Sequence, residues 1–199
     1  MKGVIVILSG PSGAGKGRIC EELLKRRDNI RKVVSVTTRN AREEEKGKDS
    51  YVFVTEEHFV HLKNSDMFIE TNYYDGAWYG TKHIPVEELV IHDLVFDKDV
   101  NGALAIKERY PEAVTIYIMP KNNEILLKRR GNRGAQRAQI AIDEVEKAKL
   151  LDFLVINDSI DDAVDQVEQI IELVREYNPV MKLFMKNKAN IDFMDRFYK

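Results

Sequence analysis

The segment Gly10-Pro-Ser-Gly-Ala-Gly15-Lys16 sets glycines and one lysine at the spacing G-x-x-x-x-G-K, a pattern suited to cradling phosphate. Glycines let successive backbone N–H groups turn inward on an anion. A following helix adds the partial positive charge of its N-terminus, and Lys16 reaches the outer phosphates. The candidate phosphate ligands are Gly10, Ser12, Gly13, Ala14, Gly15, Lys16, Gly17 and Arg18. Gly17 stands where the pattern normally has Ser or Thr, whose hydroxyl helps hold Mg²⁺, and Arg18 follows it. Arg18 has two opposite readings: extra charge on the phosphates, or a weakened metal site.

Such a loop works only between a strand and a helix, and the flanking sequence supplies both. Gly3 to Ser9 is a β-branched apolar run, as expected of a strand buried on both faces, and a helical pattern through Ile19, Leu23 and Leu24 fades at Lys25 to Arg27. Further strands are predicted at Val33–Thr37, Tyr51–Val54, Met67–Tyr74, Leu94–Phe96, Val114–Met119 (ended by Pro120) and Phe153–Ile156. Thr55 opens a short helix by capping logic, and Asp75-Gly76 marks a hairpin turn leading to Trp78 and Tyr79. A helix is expected from about Gly102 to Arg109, and 122 to 151 reads as largely helical. Asn157 to Ser159 caps a last helix, whose stripe is Ile160, Ala163, Val164, Val167, Ile170, Ile171 and Val174. Residues 39 to 50, nearly all charged or small, are expected to form a solvent-exposed loop. Alternating strands and helices argue an α/β fold with a mainly parallel sheet, and the strand-rich stretch 35–82 reads as an inserted lobe.

Ser35-Val-Thr-Thr-Arg39-Asn-Ala-Arg42, then Glu45, Gly47 and Tyr51-Val-Phe53, then Phe68-Ile-Glu70 and Tyr79-Gly80-Thr81 follow the phosphate loop in order. Together these resemble the guanylate kinase family, whose pattern runs S-x-T-T-R-x-x-R, an acidic loop residue, D-Y-x-F, and F-x-E with Tyr-Gly-[Ser/Thr] nine residues on. The later Asp97-Lys-Asp99-Val-Asn-Gly102 is similar to the family's [DE]-x-D-x-Q-G, with Lys98 where the family usually has an apolar residue. The resemblance covers most of 3–175. It implies a P-loop NTPase-type three-layer fold, an inserted lobe binding GMP and a helical lid. The implied division is 1–34 with 83–177 as core, a lid at about 122–148, 35–82 as the acceptor lobe and 178–199 as an extension.

By this resemblance ATP is the phosphoryl donor, Mg²⁺ the cofactor and GMP the acceptor. Arg39, Arg42, Tyr51 and Tyr79 hold the GMP phosphate. Ser35, Glu70, Thr81 and Asp99 hold the nucleoside, and Asp97 reaches the metal through water. Lys16, Arg39, Arg129 and Arg133 carry catalysis. The residue chemistry agrees. Paired guanidiniums three apart suit bidentate capture of a phosphate dianion. A carboxylate such as Glu70 can accept from the N1–H and N2–H₂ edge of guanine, a donor pair that adenine lacks. Taken singly, Tyr51 or Phe53 reads as sheet core, Arg39 or Arg42 as a solvated loop, and Ser35 as an ordinary strand residue. Their order and spacing carry the argument.

The family's lid pattern R-L-x-x-R-G is matched by Arg129 and Arg133, or in another register by Leu126 and Arg130-Gly131. The further arginine beyond is missing, since its position counted from Arg133 is Glu144; Arg137 is a candidate substitute. The basic cluster Lys128 to Arg137 reads equally as a solvated helix face. The tail carries Met181, Phe184, Met185, Phe193, Met194, Phe197 and Tyr198 among lysines, a pattern for docking on its own body or for a homodimer contact.

Composition frames these motifs. The 199 residues are 44% hydrophobic and 32% charged, with 31 Lys and Arg against 33 Asp and Glu for a net charge of −2. That balance gives no bulk pull toward nucleic acid or anionic membrane, so an anion must be held by local arrangement. One cysteine, Cys20, excludes an internal disulfide and suits a reducing, cytoplasmic setting. Rival functions consistent with the residues are a nucleotide-binding or protein-interaction module without catalysis, favoured by Arg18 and the altered lid, and a P-loop kinase for another acceptor.

Overall fold

The structure, a computed structural model, describes residues 3–45, 47, 51–74, 76–121 and 146–176. Its first strand, β1 (Ile5–Ser9), is wholly buried, which its unbroken apolar run requires. β1 lies at the centre of a five-stranded parallel sheet, with β7 (Asp93–Asp97) and then β2 (Ile30–Lys32) on one side, β8 (Val114–Pro120) and β9 (Phe153–Asn157) on the other.

The two faces of this sheet carry separate cores. Val4, Val6 and Leu8 pack with Ile19 and Leu23 of α1 (Lys16–Arg26) and with Ala163, Val164, Val167 and Ile171 of the last helix. Ile5 and Ile7 point the other way, against Val100, Ala103 and Ile106 of α4 (Val100–Arg109) and Leu89 of α3 (Val86–Ile91). Helices on both faces make the three layers that a parallel sheet needs. The last helix, α5 (Ile160–Glu176), follows the expected stripe. Its Ser159 cap accepts from the Asp162 N–H at 3.1 Å. Arg26 ties α1 to α5 through Asp161 and Asp165, each at 2.6 Å.

A second sheet of order β4-β3-β6-β5 holds β3 (Ser35–Thr37), β4 (Tyr51–Phe53), β5 (Phe68–Tyr74) and β6 (Ala77–Lys82). β3 and β4 are parallel, whereas β6 runs antiparallel to both β3 and β5. Its small core is Val36, Phe59 and Phe68, with Trp78 packed alongside. Phe59 belongs to α2 (Glu56–Asn64), whose cap Thr55 accepts from the His58 N–H at 3.2 Å as expected.

Several expectations need correction. Val33–Thr37 is not one strand: the chain leaves the first sheet after Lys32 and enters the second at Ser35. A continuous β-branched run carries no mark of a change of sheet. α4 begins at Val100 rather than Gly102, because Asp99 caps it. α3, one short helix opening after Pro85, has no counterpart among the expected elements. Among the described residues of the 39–50 loop, Asn40, Arg42, Glu43 and Gly47 are exposed as expected, but Arg39 and Glu45 are half-buried against each other and Glu43–Glu45 forms a 3₁₀ turn. Residues 146–148 are helical; 122–145 and 177–199 lie outside the described residues.

Candidate active site

Beyond β1 the backbone takes left-handed φ at Gly10, Gly13 and Gly15, at 136°, 88° and 98°. A Cβ at Gly10 would fall 2.2 Å from the Ile118 carbonyl oxygen, and one at Gly15 would fall 2.4 Å from Asn157 Nδ2. Both positions therefore require glycine. Asn157 Nδ2 donates to the buried Ala14 carbonyl at 2.7 Å, fastening the loop to the end of β9. α1 then starts with no side-chain cap and no acidic residue in its first turn, so its N–H groups and positive end are left for an anion. Lys16 Nζ donates to the Gly10 and Pro11 carbonyls at 2.7 and 3.4 Å and lies 3.9 Å from Asp97 Oδ1. A side chain added at Gly17 would meet Asp97 Oδ2 at 3.9 Å and nothing nearer outside its own helix, so crowding does not explain the missing hydroxyl.

A cleft of about 550 Å³ runs from this loop, with Arg18 at its edge, to the second sheet. Midway stand Arg39, Arg42, Tyr51 and Tyr79. Arg39 grips Glu45 with both terminal guanidinium nitrogens, Nη1 and Nη2, at 3.0 and 2.8 Å, and Glu45 also accepts from the Arg42 backbone N–H at 2.8 Å. That bidentate pair holds the Glu45 carboxyl below its ordinary value and raises Arg39 further. The guanidinium lies 5.4 Å from the Tyr51 ring centre and 5.6 Å from that of Phe53. Burial pushes the Tyr51 phenol up, keeping it a neutral donor. Glu45 thus positions one arginine of the pair on an aromatic floor.

At the far end, Glu70 and Thr81 sit opposite each other on β5 and β6, beside a bulge between Phe68 and Glu70 that re-aims the strand. The Thr81 hydroxyl donates to Glu70 Oε1. Lys98 enters the same spot from the β7–α4 junction, its Nζ donating to Ser35 Oγ at 2.7 Å, to Glu70 Oε1 at 3.1 Å and to Thr81 Oγ1. Asp99 is spoken for: Oδ1 accepts from the Gly102 N–H at 2.8 Å and Oδ2 from Asn72 Nδ2 at 2.7 Å. Asp97 is the carboxylate lining this cleft that, among the described residues, accepts no hydrogen bond.

The structure therefore brings the expected phosphate-loop, arginine, tyrosine and carboxylate residues to one cleft, Ser35 included, with Thr81 buried beside Glu70. Ala14 does not line the cleft: it is fully buried beneath the loop, its N–H donating to the Pro11 carbonyl at 3.0 Å and its carbonyl accepting from Asn157. Arg129 and Arg133 lie outside the described residues. Asn72 and the ties made by Lys98 and Asn157 escape a sequence reading, because each joins segments far apart in the chain. The lysine between two aspartates is the one signal that pointed there.

Among the described residues no helix is long and apolar enough to cross a membrane. The family model "Guanylate kinase" matches residues 2–174. The guanylate kinase of Carboxydothermus hydrogenoformans is 36% identical over 179 residues, covering 85% of this chain and 88% of the relative. That of Thermotoga maritima is 39% identical over 185 residues, covering 88% and 89%. The crystal structure of guanylate kinase from Anaplasma phagocytophilum superposes with a TM-score of 0.73 at 31% identity, covering 86% of each chain. Phosphate loop, second sheet and cleft thus occur together in a chain whose relatives align along most of their length, and this chain belongs to the guanylate kinase family.

Proposed function

We propose that this chain transfers the γ-phosphoryl group of ATP to GMP, giving ADP and GDP. The observation that carries the reading is one continuous cleft joining an anion-binding loop to a carboxylate-bearing base site, with an arginine pair between them. Gly10 to Arg18 would hold the ATP phosphates, chiefly through backbone N–H groups and Lys16. Arg39, Arg42, Tyr51 and Tyr79 would hold the acceptor phosphate, and Ser35, Glu70 and Thr81 the guanine. Asp99 would act through the Asn72 and α4 backbone contacts that it orders.

A GMP phosphate oxygen is already ionised, so the step needs no general base. That oxygen bonds to the γ-phosphorus as the bond to the β–γ bridging oxygen breaks, leaving ADP with the electron pair. Catalysis is then positioning and charge neutralisation. Lys16 must swing from its loop carbonyls toward the transferred group. Arg39 and Arg42 steady the acceptor, and residues 35–82 closing on the core 1–34 and 83–177 would exclude water. The chemistry of the donor set fits Mg²⁺: Asp97 stands at the loop with only the 3.9 Å ion pair to Lys16 and no hydrogen bond from the described residues, and magnesium commonly keeps several waters beside one carboxylate and the nucleotide phosphates. Asp97 would hold the ion through water. When bound, Mg²⁺ neutralises charge on the phosphates. Arg129 and Arg133 of a lid at about 122–148 would add further charge. A cytoplasmic setting follows from such substrates.

ADP formation from ATP with GMP, dAMP, CMP and UMP as acceptors tests this directly. Turnover with GMP and not with the others supports it; GMP binding without turnover supports instead a binding module, the reading that Arg18 and the altered lid pattern favour.

A further inference from the structure

Lys98 is 8% exposed and the Glu70 side chain 6%, so the ammonium and carboxylate meet in a site nearly closed to water. An ammonium has three N–H groups and no lone pair. All three are engaged, on Ser35 Oγ, Glu70 Oε1 and Thr81 Oγ1. Glu70 Oε1 accepts from both Lys98 and the Thr81 hydroxyl, while Oε2 accepts from none of the described residues. The other carboxylate at this end, Asp99, has both oxygens committed to Gly102 and Asn72.

We propose that Lys98 is a positioning residue that sets base selectivity: by occupying Glu70 Oε1 it leaves one carboxylate oxygen to read the base, so 6-oxopurine monophosphates without a 2-amino group are accepted alongside GMP. This rests on the reading of Glu70 as the carboxylate that faces the acceptor base. A carboxylate with two free oxygens takes N1–H and N2–H₂ of guanine together. Offered hypoxanthine, it leaves one buried oxygen unpaired, and that penalty is what discriminates. Here Oε1 is satisfied before any base arrives, so the loss of the 2-amino group strands nothing. The N1–H requirement persists, because adenine would set the N1 lone pair against Oε2. The substrate class is thus an oxo group beside a ring N–H, in a purine.

The test measures kcat/KM with GMP, inosine 5′-monophosphate (IMP) and AMP for the wild type and for Lys98→Met, with calorimetric binding of the same nucleotides. The expected wild-type preference for GMP over IMP is within about tenfold, with AMP disfavoured by ~10³-fold. Lys98→Met frees Oε1, and the GMP-to-IMP ratio should rise about tenfold or more while the KM for ATP holds. A merely structural defect would lower both nucleotides together and leave the ratio alone. Wild-type turnover of GMP with IMP rejected by ~10³-fold overturns the inference and leaves the proposed activity standing. A ratio unmoved in a folded Lys98→Met also overturns it. Should that variant not fold, the wild-type ratio decides. If no acceptor turns over, the activity fails and the calorimetric ratio still decides the inference; no binding of either nucleotide overturns both.

Discussion

At the phosphate-loop end of the cleft the groups offered to a ligand are mainly the uncapped backbone N–H groups at the start of α1, whereas at the base end they are side chains from β3, β5, β6 and the β7–α4 junction. The loop end leaves no room for variation at Gly10 or Gly15, where any side chain would strike Ile118 or Asn157. The base end is a network of hydroxyls, a carboxylate and an ammonium, in which one substitution redistributes every hydrogen bond. On the proposed reading the first end would recognise what all nucleotides share, and the second end what distinguishes them.

The largest expected effect lies at the loop. Lys16→Met should lower kcat by ~10³-fold or more, equally for every acceptor, in the coupled ADP assay. An effect that differed between acceptors would break the contrast between the two ends. Next, Arg39→Ala should lower kcat/KM for GMP by ~10²-fold with a small change in the KM for ATP, because it removes the guanidinium held against Glu45 and Tyr51. Glu70→Gln should raise the KM for GMP by ~10-fold or more and leave ATP nearly untouched. Equal effects on both nucleotides would remove Glu70 from base reading.

The smallest effect is a pH dependence at the middle of the cleft. Arg39 holds the folded Glu45 carboxyl below its ordinary value of 4.5. The pair therefore stabilises the folded state fully above that value, and its contribution is lost as pH falls through the lower folded one. Circular dichroism of wild type and Glu45→Gln in denaturant should show a stability gap above pH 4.5 that closes in acid. A gap widening in acid would contradict the pairing.

What sequence makes legible follows the same division. The phosphate loop is contiguous, so its glycines, its lysine and the flanking strand and helix can be read together; the caps Thr55 and Ser159 are equally local. The stripe of α5 repeats at helical spacing and maps onto the core as read. α3 is too short to show a period, and its Pro85 start reads as a break in the chain rather than the opening of a helix. Val33–Thr37 hides a change of sheet, because strand propensity describes a pleated, half-buried surface and not which sheet supplies it. Glu70 could be named as a base-facing carboxylate, yet its partner Lys98 stands 28 residues away. Such pairings become visible only when the fold closes the distance. Residue type foretold chemistry; tertiary contact decided which oxygens were left to do it.

Asp97, Lys98 and Asp99 are consecutive, and each serves a different place. Asp97 faces the loop lysine, Lys98 the base pocket, and Asp99 the start of α4 together with Asn72 of β5. This tripeptide behaves as a caliper whose jaws are the donor and acceptor ends. An inserted or deleted residue here would displace the contacts of all three side chains at once, those to the loop lysine, to the base pocket and to α4. The central side chain of the tripeptide is different, since exchanging it changes the hydrogen bonds made at the base pocket and leaves the backbone span unaltered. New acceptor preferences in such a scaffold can therefore arise by single substitutions at the middle position, with the span between the reacting groups inherited intact.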